Sequence, residues 1–147
     1  MLNYIAAAAV AGFFLPLQAL INARTSGILG GPFMATLVNF AGGTIMLIVL
    51  LLAIRAPVPT VEQLGRVPVY GWFTGLAGVM FVAQAAYTVP KLGAAAMISL
   101  VIAGQMFASI AFDHFGVLQE PQPVTLQKAA GALLLLAGVY LILRPGN

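Results

Sequence analysis

The sequence predicts an all-α integral membrane protein with five transmembrane helices, and three observations support this fold class. Of the 147 residues, 62% are hydrophobic and only 6% are charged, whereas a water-soluble domain has roughly 45–50% apolar and about 25% charged residues. The few charges are spaced so that uncharged stretches of about 20 residues, the length that crosses a bilayer core, recur along the chain. Glycines and prolines fall between these stretches, where helices begin and end.

Each uncharged stretch defines one predicted span. In chain order the spans are residues 3–23, 32–54, 69–89, 93–112 and 124–143. The residues expected to bound them are Gly30-Gly31-Pro32, Pro57, Pro59, Pro90, Pro121 and Pro123. Lys128 lies one turn inside the fifth span, from which its long stem can extend to the headgroups. Because the first span lacks a positive n-region and four spans follow it, we expect it to remain in the mature protein and not to be a cleaved signal peptide.

The connections and the composition exclude several classes of protein. The longest connection, residues 55–68, is too short for a soluble domain, so the sequence predicts a single five-helix transmembrane domain over residues 1–147. There is no basic run, which argues against nucleic-acid binding, and no Walker A motif, so the chain does not hydrolyse nucleotide itself. With no cysteine and one histidine, we expect no metal and no cofactor.

The distribution of positive charge leaves the orientation in the membrane undecided. An odd number of spans places the termini on opposite sides, and lysine and arginine normally favour the cytoplasmic side. Three cations lie on each side: Arg55, Arg66 and Lys128 with the N-terminus, and Arg24, Lys91 and Arg144 with the C-terminus. Either an unseen factor sets one orientation, or copies insert both ways and pair as an antiparallel dimer that rebuilds an inverted repeat.

The order and spacing of several short motifs resemble those of one transporter family. The motifs are Pro16-x-Gln18-x-x-x-Asn22, Gly31-Pro32-x-x-Ala35, Phe40-x-Gly42-Gly43, Trp72-x-x-Gly75, Pro90-x-Leu92-Gly93, Gly104-Gln105, Asp113-His114-Phe115-Gly116, and Gly131 with Gly138. Together they resemble the YdcZ-like branch of the drug/metabolite transporter superfamily, which is related to EamA-type and small multidrug resistance transporters. One departure is Gly75-Leu76-Ala77-Gly78, where the family pattern has a glycine pair after the tryptophan.

The resemblance implies a fold and a location. Larger members of the superfamily fuse two five-helix halves in opposite orientation, so this chain looks like one half of such an inverted repeat. It implies a transporter in a bacterial inner membrane and supplies no substrate.

The polar residues inside the spans are the candidate substrate-binding groups. No charged residue or histidine lies near the centre of a predicted span, although such residues usually mark ion coupling. The candidates are Gln18, Asn22, Asn39, Trp72, Gln84 and Gln105. The alternative is structural: the amides bond between helices, within a subunit or across a dimer, and Trp72 anchors the chain at the interface.

Local sequence favours two of these amides for function. Gln18 follows Pro16, which removes a backbone hydrogen bond and can kink the helix, and Gln105 follows Gly104, which allows close approach. At ~1.5 Å rise per residue, Gln18, Asn39 and Gln84 fall in one layer of the membrane, roughly 6 to 8 Å from the middle of their spans.

Glycines at helical spacing are interpreted as packing residues. Gly71, Gly75 and Gly78 form one stripe and Gly131 and Gly138 another, and such stripes allow close helix contact. The stripe on the fifth span is predicted to be a dimer interface.

Asp113 and His114 form a titratable pair at the end of the fourth span. Asp113 is a possible proton or coupling site. The neighbouring Gly116 favours the alternative, an exposed pair in a turn.

Three functions remain open from the residues alone. The first is a small secondary transporter or exporter of an organic solute, acting by alternating access as an antiparallel dimer with an identical or a paralogous chain. The second is an accessory subunit of a larger complex that transports nothing. The third, an intramembrane serine protease using Ser26, Ser99 or Ser109, is disfavoured because the only histidine, His114, lies at the membrane edge, so we expect no enzyme and no catalytic residue.

Overall fold

A computed structural model describes residues 1–117 and 119–144 of the chain. These residues form helices and no strand: α1 Leu2–Leu29, α2 Pro32–Ala53, α3 Val61–Gly65, α4 Val69–Leu92, α5 Ala94–Phe115 and α6 Leu126–Leu143. All except the short α3 are long and apolar enough to cross a membrane, which confirms the predicted fold class. The chain forms two compact units, of which the first contains α1 to α4 and the second α5 and α6.

The first helix is longer than predicted. It continues past the expected end at residue 23 to Leu29, because an arginine such as Arg24 does not end a helix when its stem can extend to the headgroups. Its 28 residues span about 42 Å at 1.5 Å each, more than the ~30 Å hydrocarbon core. The helix ends at Gly30, which adopts φ 77° and donates its N–H to the carbonyl of Ser26.

A tight link makes α1 and α2 neighbours. Gly31 also donates to the Ser26 carbonyl, at 3.0 Å, and Pro32 is the first residue of α2, where its missing N–H costs nothing. Because only Gly30 and Gly31 separate the helices, α2 returns alongside α1. The buried residues of these two helices are Ala19, Asn22, Ala35 and Thr36.

The connection after α2 contains a short helix that the apolar pattern does not predict. The helix ends at Ala53, one residue before the predicted end, and α3 follows within the loop. Thr60 and Gln63 form a capping box at the start of α3, in which each side chain bonds the other residue's backbone N–H.

The end of α4 corrects the predicted role of Pro90. The helix includes this proline and runs to Leu92, so Pro90 does not separate the third and fourth spans. One proline in a last turn removes a single backbone bond, whereas Gly93, with φ 80°, leaves the helical region altogether. The break between the spans therefore lies at Gly93.

The second unit consists of two packed helices. Helix α5, which corresponds to the fourth predicted span, ends at Phe115, three residues beyond the predicted end, and Gly116 caps it with φ 66°. Helix α6, which corresponds to the fifth predicted span, begins at Leu126, two residues later than predicted. The reason is that Thr125 acts as N-cap: its side chain accepts a hydrogen bond from the backbone N–H of Lys128, at 3.2 Å.

Most of the apolar surface of the spanning helices is not buried within the described chain. Within the most apolar window of each spanning helix, the buried share ranges from 6% in α1 to 22% in α4. In a membrane, such apolar faces are covered by lipid or by protein.

Candidate functional site

A groove between α1 and α2 gathers three of the predicted amides. Gln18 and Asn22, one helical turn apart on α1, face Asn39 of α2 across a space of about 550 Å³. The apolar walls come from Ala11, Phe14, Leu15, Leu17 and Ile21. We call this space the amide groove. It contains no charged side chain in its lining.

The tight link explains why these amides meet. Asn22 and Asn39 are both eight residues from the Gly30-Gly31 link, so the hairpin places them at the same depth, with Gln18 one turn further in. Gln18 and Asn39 also line a smaller adjoining space of about 280 Å³ beside Thr44. The hydroxyl of Thr44 already donates to the carbonyl of Phe40, at 2.8 Å.

The amide groups in this groove have no hydrogen-bond partner in the part of the chain that the structure describes. Asn22 is only 4% exposed, yet its side chain makes no hydrogen bond with residues 1–117 or 119–144. No fully buried side-chain N or O atom in those ranges lacks a partner, so the amide of Asn22 keeps access to the groove. Bonding of these amides between helices of one subunit, the structural alternative, is therefore not seen within the described chain.

Gln84 lies elsewhere. It lines a separate space of about 350 Å³ between the start of α2 and α4, next to Phe33 and Tyr87. Its Nε2 donates to the hydroxyl of Thr88, one turn along α4, at 2.8 Å. The layer predicted for Gln18, Asn39 and Gln84 is thus divided between two grooves, because helix rotation points Gln84 toward Phe33.

Two further candidates line none of these spaces. Trp72, near the start of α4, is 62% exposed, and Gln105 is an exposed residue of α5. A Cβ atom added to the neighbouring Gly104 would meet nothing within 4 Å.

Within the described chain, the three glycines of the α4 stripe have different surroundings. The ring of Phe40 in α2 lies against Gly78, where an added Cβ would be 3.1 Å from Cζ. At Gly71 an added Cβ would instead meet Val67, in the turn just before the helix, and at Gly75 it would meet nothing within 4 Å. Of this stripe, Gly78 alone is in contact with a neighbouring helix of the described chain.

The glycines of α6 face open space. An added Cβ would meet nothing within 4 Å at Gly131 or at Gly138. Both positions are therefore free to accept a partner.

Asp113 is held by neighbours, which corrects its interpretation as one of an exposed pair in a turn. It belongs to the last turn of α5, and its Oδ1 accepts from Nε2 of Gln119, at 2.6 Å. Its Oδ2 lies 3.5 Å from Nζ of Lys128. His114 is exposed, with its ring edge-on to that of Phe115.

The sequence reading missed the ion pair between Asp113 and Lys128. The signal that could have found it is the position of opposite charges at adjoining ends of consecutive spans, in the last turn of α5 and the first turn of α6. Neither side chain is fully exposed: 26% of Asp113 and 36% of Lys128 is accessible.

Five helices long and apolar enough to cross a membrane place the chain among integral membrane proteins. A family model described as "Putative inner membrane exporter, YdcZ" matches residues 3–141. The chain belongs to this family, DMT_YdcZ, which confirms the resemblance inferred from its motifs. The description places the protein in the inner membrane and points to a transporter instead of an enzyme. Comparison with curated proteins and with solved structures gives no match.

Proposed function

We propose that this protein is a secondary transporter that exports a small organic solute without net positive charge. The observation that carries the proposal is the amide groove, in which Gln18, Asn22 and Asn39 present donors and acceptors that the described chain leaves unused. An unused amide at membrane depth is costly unless something bonds to it, and a transported solute is such a partner.

The lining of the groove favours one chemical class. Each amide offers an acceptor oxygen and two N–H donors, which suits neutral or zwitterionic groups such as amides, hydroxyls and carboxylates balanced by an ammonium. Because no carboxylate lines the groove, a bare cation has no counter-ion there. The walls from Phe14, Leu15 and Ile21 suit an apolar portion of the same solute.

The functional unit in this proposal is an antiparallel dimer. The three cations on each side favour neither orientation, and the sparsely buried helices leave apolar faces for a second copy. Gly138, where an added Cβ would meet nothing within 4 Å, offers a flat position on α6 for close packing. The other possible partner is a paralogous half-transporter that inserts into the membrane in the opposite orientation.

Alternating access follows from the proposed symmetry. Two inverted copies related by an axis in the membrane plane can exchange conformations, so that the shared cavity opens first to one side and then to the other. The solute binds both states at the same amides, and its gradient sets the direction of net flux.

The proposed substrate class is tested by flux into proteoliposomes containing the purified chain. The probes are nicotinamide for a neutral amide, glycine betaine for a zwitterion and tetraethylammonium for a cation. We expect protein-dependent flux of the first or second and none of the third. Flux of tetraethylammonium alone would contradict the neutral-groove proposal, and absence of any flux would favour an accessory subunit.

The proposed dimer is tested by biasing its orientation. Val58→Lys with Val61→Lys adds charge to the loop between α2 and α4, where both residues are exposed, and Ile28→Lys with Leu92→Lys adds charge on the opposite side. We expect each variant alone to lose flux and the two expressed together to recover it. Full flux from either variant alone would contradict the antiparallel homodimer.

A further inference from the structure

A second groove lies between α5 and α6, within the second compact unit. Its volume is about 610 Å³ and it has two chemically distinct parts. The polar part is at the end of the helices and contains Asp113 and Lys128 with Ser109 and Gln127. The apolar part is lined by Met106, Ile110, Gly131, Ala132, Leu134 and Leu135. We call this space the α5–α6 groove.

The ammonium of Lys128 has spare capacity at the polar end. Within the part of the chain that the structure describes, its Nζ has two partners, Asp113 Oδ2 and Gln122 Oε1, and both are 3.5 Å away. Charge-assisted N–H···O bonds are normally about 2.7–2.9 Å long, so both are weak. A phosphate oxygen entering the groove would be a stronger partner for this three-donor group.

The carboxylate of Asp113 is held in place with one oxygen underused. Oδ1 accepts from Gln119 at 2.6 Å, and the backbone carbonyl of Asp113 accepts from the N–H of Gln122 at 2.7 Å. Among residues 1–117 and 119–144, Oδ2 has only the long contact with Lys128. The polar end therefore offers one cation and one anion side by side, each able to take a further partner of opposite charge.

The groove lies where a lipid headgroup would be. Asp113 is in the last turn of α5 and Lys128 in the first turn of α6, so the charged end is at the membrane boundary. From Lys128 the apolar lining continues along α6 to Leu135, about 10 Å toward the bilayer interior at 1.5 Å per residue. A ligand that fills both parts has a charged head and an apolar tail.

We infer that the α5–α6 groove binds a phospholipid with a phosphoethanolamine headgroup. The phosphate pairs with Lys128, the primary ammonium donates to Oδ2 of Asp113, and one acyl chain lies along Gly131 and Leu134. A zwitterionic head matches the paired charges, whereas an anionic head would leave Asp113 facing a negative group. A choline head carries no N–H and cannot donate to the carboxylate.

Titration of delipidated protein in detergent, followed by native mass spectrometry, tests this inference. The probes are dioleoyl phosphatidylethanolamine, the matching phosphatidylcholine and phosphatidylglycerol, and soluble glycerophosphoethanolamine. We expect the ethanolamine lipid to bind about tenfold more tightly than the choline lipid, as one charge-assisted hydrogen bond predicts. The soluble headgroup should bind far more weakly, because the acyl chain is missing.

Variants separate the two ends of the headgroup. Lys128→Met should lower binding of the ethanolamine lipid by about tenfold or more, while Lys128→Arg should retain it. Asp113→Asn should abolish the preference for ethanolamine over choline. The matched control is Lys91→Met, which removes another ammonium at a helix end, one that bonds to Tyr87 and lies outside the α5–α6 groove.

Several results would overturn the inference. Equal binding of the ethanolamine and choline lipids, tighter binding of phosphatidylglycerol, or an equal response to Lys128→Met and Lys91→Met would each do so. Equal binding of glycerophosphoethanolamine would show a headgroup site without a lipid. If Lys128→Met does not fold, Lys128→Gln, which keeps a polar donor, is used with the same expectation.

Discussion

Replacing Asn22 with leucine preserves the approximate size of the side chain and removes its amide. In the described chain this amide has no hydrogen-bond partner although the residue is only 4% exposed. A buried polar group without a partner costs about 1–3 kcal/mol. Because the amide keeps access to the groove, we take the lower end and expect Asn22→Leu to raise the free energy of unfolding by about 1 kcal/mol or leave it unchanged.

Transport should respond in the opposite direction. If the amide bonds the solute, losing one neutral hydrogen bond, worth about 0.5–1.5 kcal/mol, lowers the specific rate by about two- to tenfold. The two measurements are thermal unfolding of the solute-free protein in detergent and flux in proteoliposomes, the latter normalised to folded protein. Asn3→Leu is the matched control, since Asn3 is an exposed asparagine in the first turn of the same helix. It should leave both quantities unchanged.

A structural role for Asn22 gives the reverse pattern. If the amide bonds across a dimer, Asn22→Leu should destabilise the protein by about 0.6 kcal/mol, the average for interhelical hydrogen bonds in membranes. Flux per folded dimer would then remain at the wild-type value. That combination would refute the assignment of Asn22 to the solute.

Three further predictions concern other parts of the chain. Gly116→Ala should destabilise the protein by about 2 kcal/mol, because the residue has φ 66° and the added Cβ would lie 2.6 Å from Pro121. Thermal unfolding should show no such loss for the control Gly104→Ala, where an added Cβ meets nothing within 4 Å. Gly138→Leu should reduce the dimer fraction measured by light scattering, whereas the control Gly12→Leu, in open space on α1, should not. An equal loss of dimer in both variants would place the interface elsewhere. Flux should change little between about pH 6 and 8, because no ionisable group lines the amide groove; uphill transport driven by a pH gradient and abolished by Asp113→Asn would contradict this.

The spanning helices were predictable because a bilayer imposes length and apolarity on every segment that crosses it. Their ends were less predictable. Arg24 and Pro90 lie at predicted boundaries, but a helix can continue through an arginine whose side chain reaches the headgroups or through a proline in its last turn. Thr60 and Gln63 match the S/T-x-x-E/Q pattern of a capping box and mark the start of α3. The pattern of long apolar stretches does not include this short helix.

The candidate site was predictable where local geometry determined it. Gln18 and Asn22 are one turn apart, and the short Gly30-Gly31 link brings α2 back beside them, so their meeting with Asn39 follows from spacing. The positions of Trp72 and Gln105 do not follow in this way. Their helices are apolar on all sides, so the sequence pattern does not say which side faces a neighbour, and packing determines the rotation.

The charge and burial patterns together favour transport driven by the solute's own gradient over proton coupling. In the amide groove no group changes charge, and the half-buried carboxylate of Asp113 is engaged with Gln119 and Lys128 at a helix end. A proton competes directly with the solute only where a carboxylate lies in the solute site, and no carboxylate lines the amide groove. In the proposed antiparallel dimer, each chain contributes one amide groove to a shared cavity. Because the two chains are related by symmetry, the cavity binds the solute with the same affinity whether it is open to one side of the membrane or to the other.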